Sequence, residues 1–290
     1  MRTFFRFVFG SCLVLGCGDS MFSSADAGTG NDGGSDASVS DANADATSPV
    51  VDAGVEAGCV GTWCACHAPK PTFCDDFDSP GEVAGQGWND DAGHVNDPGS
   101  TLILTTTMPA SPPKSLQVYV TGARSAVLTE DVASLASALV AFDVYVPRST
   151  CAGTPAGTEL ARVVSGNTFA ASAPTYLALE RSATSDVVVT STLGFGARGS
   201  ISPLKADQWV RVRIRVRIGA TLNWSVSYAA AGADDTPASA GEDAGAGALP
   251  NPNGPDGGPG WVSLGAWNPS AMATSDCAPM FDNVAIYETP

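Results

Sequence analysis

Residues 209 to 218 read Trp209-Val-Arg-Val-Arg-Ile-Arg-Val-Arg-Ile218, and this stretch decides the fold. Successive side chains of a β-strand point to opposite faces, so Val210, Val212, Ile214, Val216 and Ile218 share one face. Arg211, Arg213, Arg215 and Arg217 share the other, at intervals of about 6.6 Å. The next segment repeats the pattern, with Leu222, Trp224, Val226 and Tyr228 alternating with Asn223, Ser225 and Ser227. A two-residue turn at Gly219-Ala220 would set Arg215 against Trp224 and mix wet with dry. A three-residue connection, Gly219-Ala220-Thr221, sets Trp224 opposite Val216 and Ser225 opposite Arg215. A slip of one residue exchanges the two faces of a strand, so the pattern selects the three-residue connection. The predicted hairpin has one apolar face and one face carrying four arginines.

The same period of two extends through the C-terminal two thirds of the chain. Short runs rich in Val, Ile, Thr and Tyr predict strands over 101–107, 115–121, 124–130, 139–146, 159–165, 175–181, 186–194, 208–218, 221–228, 261–267 and 280–287. No segment past the N-terminus carries an apolar stripe of helical period, and residues 130–139 offer one helical turn at most. Many short strands separated by Gly, Pro, Ser and Asp predict an all-β jelly-roll sandwich of two antiparallel sheets. Residues 229–260, rich in Ala, Gly, Asp and Pro, read as a low-complexity loop, either a lid or an insertion.

The N-terminus supplies an address. Arg2 and Arg6 precede a brief apolar run, and Leu15-Gly16-Cys17 follows. The run is far too short to cross a bilayer, which takes about 20 residues, so residues 1–16 read as a removable signal peptide. The pattern resembles a bacterial lipoprotein signal, which implies lipidation at Cys17, a bilayer as partner and a place in the cell envelope. Ordinary secretion, with cleavage near Ala25-Asp26-Ala27, is the competing reading. Residues 17–57 form an expected disordered tether of Asp, Ala, Gly and Ser. Its acids, seven Asp and Glu56, are unrelieved by any base, and it cannot bury enough apolar surface to offset chain entropy. Specific calcium binding by its Asp-Ala repeats is the sharper but less well-shaped alternative, since no fixed ligand geometry is suggested.

The 290 residues carry a formal charge of −16. Such an acidic chain is a poor partner for nucleic acid or anionic lipid. Against that background the four arginines invite two readings. They form a solvated face with carboxylates on neighbouring strands, or a ligand-binding groove for an acidic or hydroxyl-rich glycan.

Six cysteines remain beyond Cys12 and Cys17: Cys59, Cys64, Cys66, Cys74, Cys151 and Cys277. In an oxidising compartment an even set implies three disulfides. Four lie in a Cys-rich segment, 58–74, so two local bridges there leave Cys151 for Cys277. The alternative is zinc held by Cys59, Cys64, Cys66, His67 and Cys74, but the spacing lacks the usual Cys-x₂-Cys pair.

Two end motifs suggest a family for residues 75–290. Phe73-Cys74-Asp75-Asp76-Phe77-Asp78, followed by Trp88, opens the domain; Met280-Phe281-Asp282-Asn283-Val284-Ala285-Ile286-Tyr287 closes it. With the tryptophan-led strand at Trp209, this pairing resembles the concanavalin A-like lectin/glucanase jelly rolls, including the laminin-G-like group and family 16 glycoside hydrolases. The resemblance implies that first and last strands pair. It also implies a structural calcium near the termini, with Asp76, Asp78 and Asp282 as oxygen ligands, a suitable set for a hard cation. Alternatively these aspartates cap turns.

The family's catalytic Glu-x-Asp-x-x-Glu strand is absent. Retaining hydrolysis needs two carboxyls about 5–5.5 Å apart, and only Glu159 and Glu180 lie in strands that can be neighbours. His67 lies in the cysteine cluster and His94 in an Asp-rich loop, a poor basis for Ser-His-Asp or Cys-His catalysis. Trp209, Trp224, Trp261 and Trp267 read as core, whereas Trp63 and Trp88 either stack on a sugar or pack beneath the sheet. The sequence therefore leads to a non-enzymatic, membrane-anchored binding module for extracellular polysaccharide or another surface ligand. The alternatives are a polysaccharide hydrolase or lyase of the same fold, and a purely structural envelope protein.

Overall fold

A computed structural model describes residues 61–81, 83, 87–89, 99–121, 124–133, 136–148, 158–165, 175–181, 187–191, 197–235, 242–250, 260–267 and 277–288. All of them belong to the compact unit Val50–Pro290. The expected signal peptide, Cys17, the tether, Cys59, Cys151 and His94 lie outside the described residues.

Fourteen strands and one helical turn make up the described fold. They are α1 (Trp63–Cys66), β1 (Phe73–Asp75), β2 (Thr101–Thr105), β3 (Ser115–Tyr119), β4 (Ser125–Val132), β5 (Ser137–Tyr145), β6 (Thr158–Ser165) and β7 (Thr175–Arg181). There follow β8 (Val187–Ser191), β9 (Ala197–Ser200), β10 (Trp209–Ile218), β11 (Thr221–Ala230), β12 (Glu242–Pro250), β13 (Gly260–Trp267) and β14 (Met280–Glu288). One sheet has eight strands in the order β12-β11-β10-β5-β14-β3-β2, with β1 also paired to β14. The other has six, in the order β4-β13-β6-β7-β8-β9. Every described pairing is antiparallel, as expected of the jelly roll.

The β10–β11 register is the one that the hydrophobic pattern selects. Val216 faces Trp224, Arg215 faces Ser225 and Ile218 faces Leu222, which leaves three residues in the connection. Val212, Ile214 and Val216 enter the core from the eight-stranded sheet and meet Leu128, Leu160, Val163, Val262 and Leu264 from the six-stranded one. The chain ends also pair as expected, with Cys74 opposite Ala285 and Asp75 opposite Val284.

Two readings change. The segment 130–139 contributes no helical turn among its described residues: β4 runs to Val132 and β5 begins at Ser137. The low-complexity stretch 229–260 contains a whole strand, β12, that closes one edge of the larger sheet. Its glycines explain the composition. A Cβ on Gly247 would lie 2.8 Å from Cζ2 of Trp224, and one on Gly245 would lie 2.8 Å from Cγ2 of Ile201. Glycine in a strand marks such close approach, so this edge trades β-propensity for fit against a large ring.

Candidate functional site

The face of the six-stranded sheet turned away from the core gathers one compact group of reactive side chains. On β13, Val262, Leu264 and Ala266 enter the core, so Trp261, Ser263, Gly265 and Trp267 face outward by alternation. Gly265 has φ +147°, and a Cβ there would lie 2.2 Å from the carbonyl oxygen of Ala126. It sits where the β13–β6 register shifts, between Leu264 and Trp267. On β6 the alternation is broken in the same place. Leu160 and Ala161 both enter the core, and the pairing with β7 shifts between Glu159 and Ala161. The bulge turns Glu159 and Arg162 to one face although they are three residues apart.

Glu159 and Arg162 form an ion pair through the Arg162 Nε, with the two side chains 8% and 14% exposed. The guanidinium carbon lies 3.0 Å from the centroid of the Trp267 ring, a cation–π stack. Burial raises the Glu159 pKa and Arg162 pulls it back, with burial the larger effect. Val127, Ser263 and Gly265 complete the hollow around this trio. Its enclosed space is only about 10 Å³, room for about one water, so a polymer would lie across the hollow rather than enter it. The neighbouring Thr129 hydroxyl is buried without a hydrogen-bond partner. In the β6–β7 register Glu180 stands directly opposite Glu159. The two acids singled out in the sequence therefore do occupy adjacent positions of one sheet. Arg162 and Trp267 were missed as site residues. Trp267 read as core, and the bulge that presents Arg162 leaves only a broken alternation in Glu159-Leu-Ala-Arg162 as its trace.

The arginine face of β10 divides in two. Arg211 is fully buried and Arg213 is 2% exposed, so neither can meet a ligand from solvent as the sequence suggested. Arg211 Nε donates to Asp235 Oδ1 at 3.1 Å, its NH2 donates to Asp235 Oδ2, and its NH1 donates to the Asn283 carbonyl. Arg213 Nε donates to Asp235 Oδ1 at 3.1 Å. Asp143 flanks Arg211 at 3.6 Å, and Trp63 covers the guanidinium at 4.7 Å. Tyr287 donates its hydroxyl to Asp235 Oδ2 at 3.2 Å, and His67 Nε2 lies 3.2 Å from the same oxygen. Burial opposes the Asp235 charge, but the adjacent His67 and the Arg211 guanidinium outweigh it and hold the carboxyl far below its usual range. This is an internal clamp under the Cys-rich segment. The Cys64–Cys74 disulfide, Cα–Cα 5.8 Å, ties that segment to β1, and Cys66 and Cys277 are disulfide-bonded as well. Arg215 and Arg217 remain exposed.

Asp76, Asp78 and Asp282 all lie near the paired chain ends, and their oxygens accept backbone N–H groups. Asp76 takes Cys64 N at 2.9 Å, Asp78 takes Lys114 N at 3.0 Å, and Asp282 takes Ser111 N at 2.9 Å. No cluster of three His, Cys, Asp or Glu among the described residues is grouped to hold a metal ion. Trp88 is a packing residue. It is 3% exposed, sits edge-on to Phe73 at 4.8 Å, and donates its Nε1 to Asp75 at 2.6 Å.

The fold is similar to that of several solved structures. An endo-β-1,4-glucuronan lyase from the fungus Trichoderma reesei superposes with TM-score 0.52 at 11% identity, over 76% of this chain and 96% of that one. The cellulose-induced protein Cip1 gives 0.50 at 14%, over 75% and 97%. The alginate lyase vAL-1 from Chlorella virus gives 0.48 at 10%, over 71% and 94%. No protein-family model matches the chain, and no curated protein sequence matches it. The first two likenesses show the jelly-roll fold. They also overturn the expectation of a non-enzymatic binding module, whose ground was the missing Glu-x-Asp-x-x-Glu strand. The same sandwich serves a lyase, and elimination does not use the paired carboxylates of a retaining hydrolase, so that absence is no argument against catalysis.

Proposed function

We propose that this protein is a polysaccharide lyase that cleaves an acidic polysaccharide across the outer face of its six-stranded sheet. The observation that carries the reading is the Glu159–Arg162–Trp267 group on a fold shared with a glucuronan lyase. In the elimination a base takes the proton from the carbon bearing a uronate carboxylate. The resulting electron pair forms a double bond as the neighbouring C–O bond breaks, and the departing oxygen takes up a proton. Negative charge accumulates on the carboxylate in the transition state, where a fixed cation is most effective. In this reading Arg162 takes that task, and Trp267 and Glu159 set the plane of its guanidinium. Glu159, with its pKa raised by burial, is a group able to carry a proton at such a site.

The test is incubation with glucuronan and with alginate. Unsaturated uronate ends, detected by ultraviolet absorbance and mass spectrometry and lost in Arg162→Gln, support the reading. Saturated new non-reducing ends from the same substrates would instead show hydrolysis. No product from either polymer would end the reading.

We further propose that the chain works at the bacterial envelope, held by lipid on Cys17. The pattern of the first 17 residues supports this. Labelled fatty acid should enter the wild-type chain and not Cys17→Ser; equal labelling of both would exclude it.

A further inference from the structure

Arg215 and Arg217 sit on the opposite side of the sandwich from the Glu159 hollow, and their surroundings differ from those of Arg211 and Arg213 on the same strand. The inner pair is neutralised by Asp143 and Asp235. Among the described residues, no acid of the sheet flanks the outer pair. Across the strands, Arg215 is flanked by Leu139 and Ser225, and beyond these by Tyr287 and Ala246. Arg217 is flanked by Ser137 and Asn223, with Ala248 beyond. No described carboxylate pairs with either guanidinium. The small residues leave a cavity of about 290 Å³ between the arginines, lined also by Ser137, Asn223 and Ser225.

On a chain of net charge −16, two neighbouring arginines with three neutral hydrogen-bonding side chains and no counter-charge form an unusual patch. Their mutual repulsion does not by itself demand a ligand, since two charges about 6.6 Å apart in water repel by only about 0.6 kcal/mol. The composition of the lining is what selects one. Guanidinium groups bind carboxylate or sulfate in forked pairs, and Ser and Asn side chains suit sugar hydroxyls. The open, shallow shape suits an extended polymer.

We propose that Arg215 and Arg217 form a second, non-catalytic binding site for an acidic polysaccharide on the outer face of the eight-stranded sheet. The site deepens the lyase reading by naming where a long polyanion is held away from the hollow, yet it stands on its own geometry and needs no turnover. The experiment therefore measures binding of polyglucuronate in the Arg162→Gln background, by titration calorimetry and affinity electrophoresis. The double variant Arg215→Gln/Arg217→Gln should bind at least about tenfold more weakly, the loss expected for charge-assisted hydrogen bonds. Ser225→Glu, which sets a carboxylate opposite Arg215, should have a similar effect. Arg148→Gln removes an exposed arginine paired with Asp207 and should leave affinity unchanged. Binding should weaken with added salt and should not extend to a neutral glucan. Unchanged affinity in both Arg215→Gln/Arg217→Gln and Ser225→Glu would overturn the proposal, as would equal losses in Arg148→Gln. A chain that binds through Arg215 and Arg217 but yields no unsaturated product would refute the lyase reading and leave this site standing.

Discussion

Asp235 is the keystone of the buried clamp, and its replacement by Asn tests whether the Cys-rich segment is held by charge. The carboxylate accepts from Arg211 twice, from Arg213 and from Tyr287, and lies beside His67. An amide of the same shape keeps one acceptor oxygen and turns donors toward two guanidiniums. Removing one partner of a buried ion pair costs about 3–5 kcal/mol, because the other charge stays buried. Asp143 and the Asn283 carbonyl still serve Arg211, so the lower half of that range is expected. At about 2–4 °C per kcal/mol for a domain of this size, the loss in Tm is about 6–16 °C. The carboxyl is held below its ordinary range when folded, so its contribution is complete above the unfolded pKa and declines as pH falls through the folded one. The gap between wild type and Asp235→Asn, followed by circular dichroism, should be widest near neutrality and narrow by about 1.4 kcal/mol for each pH unit below about 4. A gap under about 1 kcal/mol at pH 7 would refute this account of the clamp.

Asp282 behaves in the opposite sense. Burial, with Asp143 and Asp78 nearby, pushes its carboxyl up to about 9, so it favours the folded state fully below its unfolded value and loses that contribution as pH rises toward the folded one. Asp282→Asn should therefore gain on wild type by about 1.4 kcal/mol per pH unit between about 4 and 9 in chelator; parallel denaturation curves would refute it. If calcium sits on Asp76, Asp78 and Asp282, adding it should restore the wild type alone. Gly247→Val should drive a methyl into Trp224, cost about 1–3 kcal/mol as overpacking does, and shift the tryptophan fluorescence. An unchanged urea midpoint would show that β12 does not seat on that ring.

The period-two signal carried most of the architecture. It located both strands of the β10–β11 hairpin and chose their register, because a wrong register would have wetted Trp224. Segments escaped where another constraint outweighed propensity. β12 is written in Gly and Ala because Trp224 and Ile201 occupy the space of its missing side chains. β1 has only three residues and borrows its order from β14. The division of the arginine face was hidden for a different reason. Asp143 lies in the run Ser137-Ala-Leu-Val-Ala-Phe-Asp143 that reads as buried strand, and Asp235 lies in sequence of low complexity. Nothing local says that these two acids converge on Arg211. The Glu159–Arg162 pair required knowledge of a bulge, which turns on Gly265 of another strand.

These two faces make different demands on the same chemistry. An arginine that stabilises charge during a reaction must be held still, and Arg162 is held by a ring on one side and a carboxylate on the other. An arginine that retains a polymer gains from being exposed and unpaired by acid, as Arg215 and Arg217 are. A buried arginine serving neither purpose must be neutralised, as Arg211 is by Asp143 and Asp235. The order along β10 follows from this. The two paired arginines lie beneath Trp63 and the disulfide-tied segment, and the two acid-free ones lie toward the Gly219 turn, where neighbouring side chains are small. Exchanging the acids, with Asp235→Asn and Ser225→Asp together, would move the counter-charge from the buried pair to the exposed one. That variant should lose stability and polyglucuronate binding together, whereas each single change should affect chiefly one. Loss of both properties from either single change would show that the clamp and the outer patch are one structure and not two.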